Sequence, residues 1–154
     1  MNLSEALIRE HHEIDAGIEE FVNELEADNV SAQPLLTALA ALRRHIHLEE
    51  TILFPPLRQG GLMMPVMVML REHGELWSVM DALAVAVSAE EPDLEQLREL
   101  CGDLLARLDA HNSKEEPIIY PHAESDLPED AAAELADFID NGTLPGGWVC
   151  EGAR

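Results

Sequence analysis

One pattern of eleven residues occurs twice in this chain of 154. His45-Ile46-His47-Leu48-Glu49-Glu50-Thr51-Ile52-Leu53-Phe54-Pro55 is matched by His111-Asn112-Ser113-Lys114-Glu115-Glu116-Pro117-Ile118-Ile119-Tyr120-Pro121. In both copies a Glu follows a His by four residues, and a second Glu, an Ile, an aromatic residue and a Pro recur at the same offsets. A four-residue step on a helix returns to one face, so each copy aims an imidazole and a carboxylate at a common point. A shorter repeat lies upstream of each: Arg9-Glu10-His11-His12-Glu13-Ile14 resembles Arg71-Glu72-His73-Gly74-Glu75-Leu76. The paired histidines are spaced 62 and 66 residues apart, as a duplicated two-helix unit would place them.

The bulk numbers agree with helices packed on helices. Hydrophobic residues make up 47 % and aromatics only 4 %, a balance that disfavours a sheet built from β-branched and aromatic residues. The length suits one domain with a real core. A formal charge of −22 repels phosphate backbones and anionic lipid surfaces, so nucleic-acid and membrane partners are not expected, while cations are concentrated near the surface. The two cysteines, Cys101 and Cys150, form no CxxC pair and imply neither a disulfide framework nor a thiolate metal site. With no basic leader and no apolar run of membrane-spanning length, a cytoplasmic location is expected.

Periodicity predicts four long helices in an antiparallel, up-down-up-down bundle over 1–127, followed by a short helix and an irregular tail over 128–154. Helix one, capped by Ser4, carries Leu7, His11, Ile14, Ile18, Phe21 and Leu25 as a bundle seam. Helix two runs from about Gln33 to Phe54, with His45 and Glu49 on its apolar side, and Pro55-Pro56 is expected to end it. Helix three starts near Pro65 and places His73 between Met69 and Leu76. Helix four follows Asp93 and brings His111 and Glu115 inward, with Pro117 expected to end or kink it. Residues 129–140 read as a short amphipathic helix, and 141–154 as a tail whose Trp148 and Cys150 pack on the bundle or stay mobile.

Four histidines and two glutamates at matching depth in Leu-lined seams would destabilise a core that held no cation. Mixed imidazole and carboxylate donors suit iron, manganese or zinc, and six of them exceed the needs of one zinc ion, so two metals fit better than one. His11, His45, Glu49, His73, His111 and Glu115 are the candidate ligands, with Glu49 and Glu115 each able to bridge two ions. His12, His47 and His122 fall off the inward stripes and read as surface residues or as supports of the ligands. Glu50 and Glu116 can hydrogen-bond a ligand imidazole, or simply belong to a solvated helix face. The methionines before and within helix three read as flexible gap filling.

These motifs, EH at 10–11, HxxxEE…FP at 45–55, EH at 72–73 and HxxxEE…YP at 111–121, make the chain similar to the hemerythrin-like, HHE cation-binding family over about residues 4–124. The resemblance implies a non-haem di-iron centre of two iron ions, with room for an oxo or hydroxo bridge, held by the six residues just named. Oxygen-carrying members have a further His one turn after the third-helix His, and here Trp77 holds that place, so the coordination sphere is expected to be more open. Family members that repair iron–sulfur centres carry an additional N-terminal cysteine-bearing region, and here the bundle pattern begins at about residue 4. The implied function is binding or sensing of a small diatomic such as dioxygen or nitric oxide, with a redox or signalling partner unspecified. An oxidoreductase acting on oxygen, peroxide or nitric oxide, and an iron-handling module, are the alternatives.

Overall fold

Asn2 starts the first helix. Its side chain accepts the Glu5 N–H at 2.7 Å while the Glu5 carboxylate reaches back to the Asn2 N–H, a reciprocal box that begins the helix ahead of the expected Ser4 cap. Ser4 lies inside the helix and donates its backbone N–H to Glu124 Oε1 at 2.9 Å instead. The computed structural model describes residues 2–154. Its elements are α1 (Leu3–Glu26), α2 (Gln33–Leu48), a π-helical turn (Glu49–Leu53), α3 (Phe54–Gln59), α4 (Met63–Val87), α5 (Leu94–Ile118), α6 (Pro121–Ser125), α7 (Glu129–Asn141) and a 3-10 turn (Glu151–Ala153). No strand occurs among the described residues, and no helix there is long and apolar enough to cross a membrane. The four long helices form a bundle in which α1 packs on α2 and α5, and α4 packs on α5 and α2.

Pro55-Pro56 does not end the second helix as the sequence suggests. The backbone widens over Glu49–Leu53, where the Phe54 N–H reaches the Glu49 carbonyl five residues back, and both prolines then fall in the first turn of α3. A proline there lacks only a donor that would be unpaired anyway. The second copy of the repeat is handled in the same way. Pro117 is carried inside α5, which ends at Ile118, and the Glu115 carbonyl accepts both the Ile119 N–H at 2.9 Å and the Tyr120 N–H at 3.1 Å. In each copy the five-residue bond falls on the carbonyl of the candidate ligand Glu, and local widening of this kind often marks a functional site.

Two apolar clusters fill the interior. One contains Ile14, Leu42, Ile46, Leu76 and Leu108, and the other contains Leu7, Ile52, Phe54, Met69 and Tyr120. His11, His45, Glu49, His73, His111 and Glu115 fall along the helices between members of these two clusters and are all buried. The apolar seams thus stop on either side of a polar layer.

The C-terminal segment packs on the bundle and is more regular than the tail expected from its glycines and proline. Arg44 donates to the carbonyls of Phe138, Ile139 and Gly142 at the end of α7, and its guanidinium lies 4.9 Å from the Phe138 ring centroid. Trp148 meets Trp77 and His47 edge-on, with centroids 5.7 Å and 4.6 Å apart. Cys150 is fully buried in the same cluster as Cys101. Burial pushes both thiols up to about 11, with the Glu50 carboxylate adding to the effect at Cys150. At pH 8 both cysteines should therefore resist iodoacetamide in the native protein and react promptly in urea; mass spectrometry that found Cys150 labelled natively would show the segment undocked.

Candidate metal centre

α1, α2 with its π-helical extension, α4 and α5 each deliver one imidazole to the polar layer. Glu49 sits between two of them, with Oε2 at 3.2 Å from His45 Nε2 and Oε1 at 3.1 Å from His73 Nε2. Glu115 does the same for the other pair, with Oε1 at 3.1 Å from His11 Nε2 and Oε2 at 3.4 Å from His111 Nε2. All six candidate residues are therefore brought together. They form two nests that share both glutamates, His11, His45, Glu49 and Glu115 in one and Glu49, His73, His111 and Glu115 in the other, with donor atoms inside each nest within 4.8 Å of one another.

Four further carboxylates fix the rings. His45 Nδ1 donates to Glu10 at 2.8 Å, His73 Nδ1 to Glu50 at 2.7 Å, His111 Nδ1 to Glu72 at 2.9 Å, and His11 Nδ1 to Glu116 at 2.7 Å. Each helix thus supplies a carboxylate to an imidazole of a neighbouring helix. With the Nδ1 hydrogen committed outward, every Nε2 faces the nests, the orientation a metal-binding imidazole needs. Glu50 and Glu116 take up the hydrogen-bonding role that their sequence position allows. Glu10 and Glu72 are not singled out by the seam argument, although their recurrence in both EH motifs was the available signal.

Tyr120 is a third residue that sequence reasoning passes over. Its hydroxyl lies 2.6 Å from Glu49 Oε2, 2.8 Å from His11 Nε2, and 2.9 Å from both His45 Nε2 and Glu115 Oε1. One hydroxyl proton serves only one acceptor, so four donor-class atoms around this oxygen mark a place built for something more highly coordinated. The ring stacks on His11 at 5.3 Å, and Phe54, at the equivalent repeat position, stacks on His73 at 5.6 Å without a hydroxyl. The two nests therefore differ by one oxygen. This is the only tyrosine in the chain, facing a Phe across the repeat, which is how it could have been found.

The carboxylates and imidazoles of the layer set one another's ionisation. Burial pushes Glu49 and Glu115 up, helped at Glu49 by the charge of Glu115, and the imidazoles around them outweigh this and hold both below the usual carboxylate range. Burial pushes His45 and His73 down, while Glu49, Glu10 and Glu50 more than reverse it, holding His45 up at about 10 and His73 at about 9. His111 is raised by Glu115 against the same burial, and Tyr120 is driven well above the phenol range by burial and by both bridging glutamates. Protons on the imidazoles thus stand in for cations.

The donors of the second nest fit a metal. Glu49 Oε1, His73 Nε2 and Glu115 Oε2 are buried with no hydrogen-bond partner among the described residues, a costly arrangement unless a cation accepts their lone pairs. The remaining histidines lie elsewhere. His12 is exposed, His122 pairs with Asp126, and His47 is buried against Phe138 and Trp148 without joining either nest. Trp77, standing where oxygen carriers place a further His, packs against Trp148 and under the Arg43 guanidinium at 4.4 Å and does not line the space beside the nests.

Comparison with known proteins gives one match. The pattern of the hemerythrin HHE cation binding domain covers residues 2–123. Neither the curated proteins nor the solved structures yield a significant match. With most of its length inside that domain and two His/Glu nests at its centre, this chain belongs to the hemerythrin HHE cation-binding family.

Proposed function

We propose that this protein holds two iron ions in the shared nests of an up-down-up-down bundle and binds a small diatomic, dioxygen or nitric oxide, at the less saturated ion. The observation that carries the reading is the pair of nests joined by both oxygens of Glu49 and both of Glu115. His11, His45 and Tyr120 would complete one side, and His73 and His111 the other. Borderline nitrogen and hard oxygen donors in these numbers suit iron better than zinc. Ferrous iron, when bound, supplies the electron density that makes either diatomic a ligand.

The chain's own residues decide how such a ligand is received. Phe54 leaves the His73–His111 side one donor short of the Tyr120 side, so the free position falls there. Ile14, Leu42, Ile46, Leu76 and Leu108 share with the six candidate ligands the lining of a cavity of ≈ 10 Å³, about the space of one water, so any exogenous ligand would be met by apolar walls and by little free room. The four outer carboxylates keep the Nε2 atoms inward while the centre changes charge.

A second reading, an oxidoreductase acting on oxygen, peroxide or nitric oxide, draws on a different observation. Asp15 and Asn112 line the same cavity, and each has a buried side-chain oxygen without a hydrogen-bond partner. Groups of this kind seat a water or pass a proton to a reduced ligand, and reversible binding does not require them.

Three measurements test these readings. Freshly purified protein should contain two irons per chain, and Glu115→Gln should lower metal affinity by more than the roughly 10- to 100-fold typical of losing an outer partner; unchanged iron content would remove Glu115 from the centre. The ferric protein should absorb in the visible through charge transfer from the Tyr120 phenolate, and Tyr120→Phe should lose that band while keeping its iron, whereas an identical spectrum would leave Tyr120 outside the coordination sphere. Titration of the reduced protein with oxygen or nitric oxide should give a reversible adduct. Multiple turnovers that slow at least about tenfold in Asp15→Asn would instead establish the enzyme, since a positioned proton donor contributes that much or more.

A further inference from the structure

The four carboxylates that orient the histidines are not equally supported. The second oxygen of Glu10 receives Arg44 at 3.4 Å, and that of Glu72 receives the Lys114 ammonium. Glu50 is held differently: its Oε2 accepts from His73 Nδ1, and its Oε1 accepts the backbone N–H of Glu151 at 2.9 Å. That donor belongs to the 3-10 turn Glu151–Ala153, beyond the stretch that matches the family. Glu50 and Glu151 also border an open cleft of ≈ 520 Å³, so without the turn this oxygen would face solvent.

The docking of the turn is written into two glycines. A Cβ on Gly74 would stand 2.6 Å from the Gly152 carbonyl oxygen, and a Cβ on Gly152 would stand 2.7 Å from the Leu70 carbonyl oxygen and 3.0 Å from Gly74 Cα. Only two bare backbones approach this closely. Gly74 follows the candidate ligand His73 directly, and in the first repeat the same place is held by the exposed His12, where no segment docks. The departure from the repeat at Gly74 therefore coincides with the one histidine whose supporting carboxylate is held by the C-terminal turn.

From this we infer that the turn Glu151–Ala153 is a positioning element for the centre, its Glu151 N–H fixing Glu50 and, through Glu50, the His73 imidazole on the side of the pair that receives the exogenous ligand. The inference rests on the di-iron reading for its functional consequence and on the hydrogen-bond chain alone for its geometry. Two substitutions separate the donor from its side chain. Glu151→Pro deletes the N–H while fitting the backbone, because the preceding Cys150 lies at φ −64° and ψ 156°, a conformation favoured before proline, and the first position of a helical turn accepts proline. Glu151→Ala keeps the N–H.

In metal-free protein, nitrogen-edited NMR of the imidazoles should show a slowly exchanging Nδ1 proton on His73 in the wild type and in Glu151→Ala. Glu151→Pro should lose it while the His45 and His111 signals stay. In iron-loaded protein, Glu151→Pro should release one of its two irons to a ferrous chelator about 10- to 100-fold faster, the loss typical of an outer-partner defect, with the second iron unaffected. A His73 signal that survives in Glu151→Pro, or a loss shared equally by all the imidazoles, would overturn the inference. A wild type that takes up no iron would end the di-iron reading and still leave the NMR comparison to judge the positioning role.

Discussion

The centre depends on a closed circuit of hydrogen bonds around the bundle. Glu10 of α1 orients His45 of α2, Glu50 of the π-helical turn orients His73 of α4, Glu72 of α4 orients His111 of α5, and Glu116 of α5 returns to His11 of α1. No helix can rotate or slide without breaking both the bond it gives and the bond it receives. The circuit therefore sets the register of four helices whose Leu-rich seams would tolerate several, which is the service a buried polar network can render at some cost in stability. It also commits every Nδ1 outward, so the inward nitrogens are already aligned when a cation arrives.

The circuit follows the internal repeat, and small departures from that repeat give the two halves different surroundings. Both copies place a five-residue hydrogen bond on the carbonyl of the bridging glutamate, and in both the aromatic residue that follows lies against a histidine. Tyr120 adds an oxygen to one nest, and Phe54 withholds it from the other. Gly74 in place of the first copy's His12 opens α4 to the C-terminal turn. Trp77 turns toward Trp148 and helps to seat the segment that carries that turn. The asymmetry is concentrated at His73, the side that Phe54 leaves open.

The sequence made the bundle seams and the six inward side chains legible because helical periodicity and the internal repeat select the same positions. His11 is an example: it falls in the stripe from Leu7 to Leu25 and also aligns with His73. What escaped were features that periodicity does not encode. Glu10 and Glu72 stand one residue before an inward histidine, about 100° round the helix, and reach their imidazoles only because a neighbouring helix passes there. Tyr120 lies beyond Pro117, where a regular α-helix is not expected, and it points inward because the backbone widens. The C-terminal segment, rich in glycine and proline, looked irregular because its order comes from Arg44 on the α7 carbonyls and from the Gly74–Gly152 approach, both long-range.

Charge accounts for why a layer so rich in carboxylates can be buried at all. Two central and four outer glutamates meet in this layer, with Arg44 set against Glu10 and both Lys114 and Arg71 against Glu72. His45 and His73, both held up by the carboxylates around them, offset part of that negative charge, so a cation binding their Nε2 atoms would have to displace protons. The chain's formal charge of −22 adds to this by drawing cations toward the bundle.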